Sequence, residues 1–179
     1  MEDFQINKYI DLCKLGNTDA FKYIVSEYQQ LVYTLAFRMT GCEADAEDIT
    51  QETFIKAWQN MTRYKQQYKF STWIYKIAVN ACYDKLRSKH NIEDVNLSDY
   101  DVVSDMNPEE LLHNKELKVL ILKLTSGLSP KQKLIFTLSE IEELEIEEII
   151  QITGMTSAKI KSNLYLARKQ IKLKLSQYE

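Results

Sequence analysis

Three acidic side chains recur at a helical spacing near the start of the chain. Asp45, Asp48 and Glu52 fall on one face of a predicted helix. Carboxylates arranged in this way can pair with arginines on a partner helix, which orients a complex and speeds association. They could also form a plain solvated face or hold a metal ion. The metal site is the weakest of the three, because no histidine, second carboxylate helix or phosphate-binding loop accompanies them.

Basic and aromatic residues are concentrated between positions 60 and 89, where seven bases accompany one acid. Aromatic platforms in a basic groove are typical of surfaces that bind unpaired bases. Phe70 and Trp73 could equally lie in the core, and Asp84 could simply pair with Arg87 on the helix surface. Asn80 carries donors and an acceptor suited to a base edge. The candidate aromatics are Tyr64, Tyr68, Phe70, Trp73 and Tyr75, and the candidate cations are Lys65, Lys69 and Lys76.

The C-terminal part has the layout of a helix-turn-helix. A predicted helix over 145–153 is followed by Gly154-Met155-Thr156 and then by a longer predicted helix over 157–176. The bases Lys161, Arg168 and Lys172 lie opposite the apolar face of the second helix, where phosphates could sit. The alternative is a helical hairpin with a solvated basic face. The predicted apolar stripe is Ile160, Leu164, Ala167, Ile171 and Leu175.

These candidate surfaces require an all-α scaffold. The 179 residues include only four Gly and two Pro, too few turn residues for a sheet-rich fold. We predict two helical modules, over 1–90 and 108–179, joined by an acidic extended linker over 91–107. The remaining predicted helices span 6–15, 20–40, 43–61, 70–88, 107–126 and 130–142.

Charge is strongly segregated beneath a net value of −3. Residues 91–110 contain seven acids and no base, whereas residues 149–178 contain six bases and no acid. This pattern suits two basic nucleic-acid surfaces with acidic faces elsewhere, although solvated helix faces are the alternative. Cys13, Cys42 and Cys82 have neither zinc nor disulfide spacing, which indicates a reducing compartment. We expect a cytoplasmic protein without a metal or other cofactor. The first residues predict neither a signal peptide nor a membrane span.

Three sequence blocks of the first module carry a family resemblance. They are Asp45-Ala-Glu-Asp-Ile-Thr-Gln-Glu-Thr-Phe-Ile-Lys-Ala-Trp58, Tyr68-Lys-Phe-Ser-Thr-Trp73, and Ile77-Ala-Val-Asn80 followed by Asp84-Lys-Leu-Arg87. In these blocks the chain closely resembles bacterial sigma factors, and best the extracytoplasmic-function (ECF) group of the sigma-70 family. The resemblance covers about 17–89 and 128–175.

The resemblance implies a role for each matching position. In the first block Asp48, Gln51 and Glu52 match polar contacts to the coiled coil of the largest polymerase subunit, with Asp45 and Trp58 flanking them. The positions that match promoter melting and minus-ten recognition are Lys65, Lys69, Phe70, Ser71, Thr72, Trp73, Lys76, Asn80, Asp84 and Arg87. Those for the minus-thirty-five element are Ser157, Lys159, Lys161, Ser162, Tyr165, Arg168 and Lys169.

The C-terminal module departs from the family pattern. This chain has Ile150 where the family usually has Ala, and it has Asn163 and Leu166 where the family usually has Arg. Losing two arginines removes phosphate or base contacts, so we expect weak or altered recognition of the upstream element. The linker resembles the family connector that threads toward the polymerase active site, although a plain solvated tether is the alternative.

The expected function is that of a transcription initiation factor without catalytic residues. It would bind core RNA polymerase and promoter DNA, help melt the minus-ten region, and answer to an anti-sigma factor or a DNA-bound recruiting protein. No phosphate-binding Gly loop or nucleophile–base pair is present. Two rival hypotheses are a helical adaptor or anti-factor that binds only protein, and a metal-dependent nuclease using Asp45, Asp48 and Glu52.

Overall fold

The computed structural model describes residues 2–90 and 120–176, and within them every regular element is helical. These residues form two compact units, one made by the helices up to His90 and the other by most of the residues from Leu120 onward. The prediction of an all-α chain with two helical modules is therefore confirmed. The predicted linker over 91–107 and the predicted helix start at Asn107-Pro108 lie outside the described residues.

The first unit consists of four helices and one 3-10 turn. Local capping explains where the second helix begins and ends: the Asn17 side chain accepts a hydrogen bond from the Ala20 amide at 2.9 Å, and Gly41 adopts a left-handed φ of 72° that side chains disfavour. The elements are α1 (Glu2–Lys14), α2 (Thr18–Thr40), α3 (Glu43–Gln59), the 3-10 turn Met61–Arg63, and α4 (Phe70–His90).

Helix α2 is the centre of the first unit, because α1, α3 and α4 all pack against it. Its residues Ile24, Val32 and Leu35 are fully buried. On the inward face of α3, Ala46, Phe54 and Ala57 are buried and Thr50 is half-buried. Burial of this apolar surface holds the outward polar faces of α3 and α4 in fixed positions.

In the second unit the structure describes helical residues 120–125 and three further helices. These are α5 (Pro130–Phe136), α6 (Ile146–Thr153) and α7 (Ser157–Leu175). Ser129 and Gln132 form a capping box with Pro130 at the first turn of α5. Packing of α5 against α7 is continued by a cluster of Leu128, Ala167 and Ile171, with Leu124 and Phe136 against it.

The helix predicted over 130–142 changes its geometry after Phe136. Residues Thr137–Ile141 form a π-helical turn, in which the Glu142 amide donates to the Thr137 carbonyl at 3.0 Å. Glu143 then adopts a left-handed φ of 53°, which is uncommon for a residue with a side chain. This wide turn redirects the chain toward α6 and presents the carboxylate of Glu140 on the surface.

The helix-turn-helix layout is formed by α6, the turn and α7. Gly154 ends α6 with a φ of 69°, and the Thr156 side chain accepts a hydrogen bond from the Lys159 amide at the start of α7. Ile160, Ala167 and Ile171 of the predicted stripe are buried and Leu164 is half-buried, but Leu175 is 45% exposed. Leu175 lies in the last turn of α7, and the apolar stripe therefore extends beyond the part of the helix that is packed against its unit.

Candidate functional site

Helix α3 presents an acidic face made by Asp48, Gln51 and Glu52. All three residues are exposed, with 67% of the Asp48 side chain and 49% of the Glu52 side chain accessible. They recur three to four residues apart because the buried residues Ile49, Thr53 and Phe54 occupy the opposite side of the helix. The acidic face is therefore available to a partner.

Asp45 differs from the other predicted docking residues, because its side chain is only 9% exposed. The Lys85 ammonium of α4 lies 3.3 Å from an Asp45 oxygen and 2.9 Å from an Asp48 oxygen. The hydrogen bond with Asp48, followed by the interaction with Asp45, raises the pKa of Lys85. The Asp45 carboxylate faces Lys85 rather than open solvent, and its predicted place beside the polymerase contacts remains a prediction.

The carboxylates of α3 do not converge on a cation site. Glu52 pairs with Lys56 at 2.6 Å, one turn along the helix, while Asp45 and Asp48 share Lys85. Among the residues that the structure describes, no group of three or more His, Cys, Asp or Glu side chains is arranged to hold a metal ion. Trp58, the last predicted residue of this region, is half-buried and packs against Phe21 with ring centroids 5.0 Å apart.

The aromatic residues near the start of α4 form a cluster rather than an open row. Phe70 is 3% exposed, and its ring contacts Tyr28 of α2 and Tyr64. Trp73 is half-buried against Tyr64 and Phe70, at 5.2 and 5.3 Å between ring centroids. Phe70 and Thr72, two of the predicted strand contacts, are both buried, and Phe70 packs against Trp73. Their contact with the opened strand remains a prediction.

The exposed polar residues of this region follow one side of the loop and of α4. Tyr68 is 47% exposed, and Asn80 is also exposed. Asp84 and Arg87 lie 3.8 Å apart, so the surface pairing considered from the sequence is observed. Ser71 is half-buried. The exposed cationic and amide positions that continue this side are Lys65, Lys69, Lys76, Asn80 and Arg87.

The outer face of α7 is exposed but is partly occupied by contacts within its own unit. The Arg168 guanidinium lies 2.7 Å from a Glu140 carboxylate oxygen. Asn163 donates to the Lys159 carbonyl at 2.8 Å, so its amide lies along its own helix. Ser157 is half-buried. The remaining predicted contacts are exposed: Lys159, Lys161, Ser162, Tyr165 and Lys169.

Sequence comparison identifies the family of both units. The family model described as Sigma-70 region 2 matches residues 24–92, and that described as Sigma-70, region 4 matches residues 118–171. The chain is 31% identical to the ECF RNA polymerase sigma factor SigW of Bacillus subtilis, over 97% of this chain and 98% of that protein. It is 30% identical to the ECF RNA polymerase sigma-E factor of Haemophilus influenzae, over 93% of each chain.

Solved structures share the same fold. The sigma factor RpoE of Bartonella quintana, solved in complex with the anti-sigma factor NepR, matches with a TM-score of 0.72 at 21% identity over 87% of this chain and 96% of that one. CnrH, solved with the cytosolic domain of CnrY, matches with a TM-score of 0.71 at 17% identity over 96% of this chain and 97% of that one. The chain belongs to the sigma-70 family of RNA polymerase sigma factors, and within it to the ECF group.

Sequence reasoning missed the residues that hold the candidate surfaces in place. Lys85 lies within the basic stretch of residues 60–89, yet it bridges α4 to Asp45 and Asp48. Arg168 was expected to face phosphates, yet it pairs with Glu140, 28 positions earlier. Neither pairing follows a local spacing rule, so only the packing of separate helices reveals them. None of the described helices is both long and apolar enough to cross a membrane.

Proposed function

We propose that the chain binds core RNA polymerase through the acidic face of α3, directs it to promoters, and helps to melt the minus-ten region. The observation that carries this proposal is the exposed Asp48-Gln51-Glu52 face on a chain that matches both sigma-70 family models. Lys85 pairs with Asp48 and Lys56 pairs with Glu52, so both carboxylates have a defined orientation on the helix surface. Exposed carboxylates suit a cationic helix of a partner, because opposite charges accelerate and orient association.

The opened promoter strand is the proposed ligand of the loop and outer side of α4. Lys65, Lys69 and Lys76 supply exposed positive charge, Tyr68 supplies an exposed ring, and Asn80 supplies an exposed amide. Stacking and backbone neutralisation together stabilise unpaired bases. The chain acts by binding energy rather than by catalysis, and we place it in the cytoplasm with its polymerase and DNA partners.

Recognition of the upstream element is proposed to be weak and to need assistance. Asn163 donates along its own helix and Arg168 donates to Glu140, so part of the donor capacity of the outer face is used within the unit. A DNA-bound recruiting protein would compensate by raising the effective concentration of the chain at one site. An anti-sigma factor is the other expected partner, because solved relatives of this fold include the RpoE–NepR complex.

The test is the reversal of charge on the acidic face. The double variant Asp48→Lys and Glu52→Lys should lose co-purification with core polymerase, because two attractive carboxylates become repulsive cations. The matched control is Asp19→Lys with Glu27→Lys, which changes the net charge equally at exposed positions of α2. Far-UV circular dichroism verifies that both variants stay helical. Retained polymerase binding by the α3 double variant, or equal loss by the control, would remove the proposed docking face.

A further inference from the structure

The segment over residues 64–69 connects the 3-10 turn to α4 and carries Lys65, Tyr68 and Lys69 of the proposed strand-binding surface. Helix α1, which has no assigned part in that surface, contacts this segment through two side chains. We propose that Asp11 and Lys14 are positioning residues that hold loop 64–69 in its strand-binding conformation. This inference rests on the proposed function. It adds a positioning role for α1, which neither the family match nor the surface residues provide.

The first contact is a hydrogen bond between side chains far apart in sequence. Gln66 Nε2 in the loop donates to Asp11 Oδ1 at 2.8 Å. Gln66 is flanked by Lys65 and Gln67, and Lys69 follows shortly after. An ordered Gln66 therefore restricts the backbone on which the two loop lysines are carried.

The second contact places a cation over an aromatic ring. Lys14 Nζ lies 5.7 Å from the centroid of the Tyr64 ring, within the range of a cation–π interaction. The same ammonium lies 3.9 Å from Asp11, so the two α1 residues support each other. Lys14 is 28% exposed at its side chain, which leaves the interaction only partly screened by water.

Tyr64 transmits this contact to the tip of the loop. It is 4% exposed, and its hydroxyl donates to the Tyr68 carbonyl at 2.5 Å. Its ring also packs against Phe70 and Trp73. A shift of Tyr64 would consequently move both the exposed Tyr68 ring and the half-buried Trp73.

Polar contacts are important here because an open cleft separates part of the loop from α1. A cavity of about 260 Å³ lies between Ile6 and Asn7 of α1 and residues 64 and 66–70. Helix α1 itself is firmly anchored, since Ile10 and Cys13 are buried and Tyr9 stacks on Tyr23 at 3.9 Å. The side chains of Asp11 and Lys14 thus attach the loop to a fixed helix across this cleft.

The experiment measures loop order in the free protein and promoter opening in the reconstituted complex. Asp11→Ala and Lys14→Met should each raise amide hydrogen exchange of loop 64–69 by roughly two- to tenfold, because each removes one contact of this strength. With core polymerase, the same variants should slow permanganate-detected opening by a similar factor while polymerase affinity stays within about twofold. Far-UV circular dichroism should remain that of the unmodified protein.

Two matched variants separate positioning from general charge effects. Asp11→Asn keeps an acceptor oxygen for Gln66 and loses only the charge beside Lys14, so loop exchange and opening should change less than in Asp11→Ala. Lys8→Met removes the same charge from an exposed position of α1 and should also leave both measurements unchanged. Equal slowing by Lys8→Met and Lys14→Met would overturn the inference, because electrostatic attraction of DNA would then explain the effect.

The failure of this inference and the failure of the proposed function give different results. Unchanged loop exchange in Asp11→Ala and Lys14→Met overturns the positioning role whatever happens to transcription. If the unmodified chain with core polymerase does not open promoters, the proposed function fails. The exchange measurement then still decides whether the Asp11 and Lys14 contacts order the loop. Slower opening without faster loop exchange would also contradict the inference.

Discussion

The Lys85 ammonium lies 2.9 Å from an Asp48 carboxylate oxygen and so joins α4 to the outer face of α3. The same ammonium lies 3.3 Å from the nearly buried Asp45. One side chain therefore connects the helix proposed to bind polymerase with the helix proposed to bind the opened strand. Because this bridge crosses between helices, it fixes their relative rotation more directly than a pair within one helix could.

Replacing Lys85 tests how much this bridge contributes to the free energy of unfolding. Lys85→Met should lower the free energy of unfolding by about 1–3 kcal/mol, because the Asp45 carboxylate keeps its burial and loses its cationic partner. Urea denaturation followed by circular dichroism measures the change. Lys76→Met, the same replacement at an exposed position of α4, should change it by less than about 0.5 kcal/mol. Equal effects of the two variants would mean that the bridge contributes nothing specific.

The Glu140–Arg168 pair predicts a gain of function in the second unit. Glu140→Ala should strengthen binding to duplex promoter DNA several-fold, because it releases Arg168 and removes one repulsive carboxylate. The salt dependence should steepen by about one phosphate contact, a slope change near 0.9. Fluorescence anisotropy over a salt series measures both quantities. Glu147→Ala removes an equal charge from an exposed position of α6; if it reproduces the steeper slope, Arg168 is not the residue released.

Promoters with a scrambled upstream element test the proposed need for a recruiting partner. With polymerase and this chain alone, scrambling the upstream element should lower transcription only modestly, because α7 is expected to make few contacts with duplex DNA. Run-off transcription from matched templates gives the ratio. Abolition of transcription by scrambling would show that the second unit recognises DNA strongly by itself, and the recruitment proposal would be wrong.

The three cysteines should differ sharply in reactivity. Burial raises the pKa of Cys82 to about 12 and that of Cys13 to about 11, whereas Cys42 is half-buried. Since the thiolate is the nucleophile, alkylation at pH 8 should modify Cys42 first. Mass spectrometry of peptides gives the order, and Cys42→Ala should remove the fast phase. Rapid modification of Cys82 in the folded protein would contradict the buried environment.

The raised pKa of Cys82 also predicts how the free energy of unfolding changes with pH. An unfolded cysteine ionises near its ordinary pKa of 9.0, whereas folded Cys82 retains its proton up to about 12. The stabilisation of the folded state by the protonated Cys82 thiol is therefore complete below pH 9 and is lost as the pH rises toward 12. Urea unfolding at pH 8 and pH 10.5 should show a larger alkaline loss for the unmodified chain than for Cys82→Ala. Equal losses would exclude Cys82 as a source.

Helix boundaries were largely predictable because their signals are local. Ser129-Pro130 marks the start of α5, and glycines at 41 and 154 mark the ends of α2 and α6. The π-helical turn after Phe136 was not predicted, because its hydrogen bonds depend on how the chain is redirected toward α6. Hydrophobic periodicity carries no information about such a local change in winding.

The candidate site was predictable in outline but not in which side chains reach solvent. The acidic face at Asp48, Gln51 and Glu52 follows directly from helical spacing. Phe70 and Trp73 have similar chemistry in the sequence, and only packing on Tyr64 and Tyr28 decides that Phe70 is covered. The partners of Lys85 and Arg168 lie on other elements, so residue spacing alone could not identify them.

The most direct test of the central claim is transcription from a promoter library with purified core polymerase and this chain. Mapped 5′ ends should cluster at defined start sites below a shared minus-ten element, absent with core enzyme alone and lost with the Asp48→Lys and Glu52→Lys double variant. A chain that binds core polymerase yet yields no start sites beyond those of core enzyme would contradict the account and would identify a protein-binding adaptor instead.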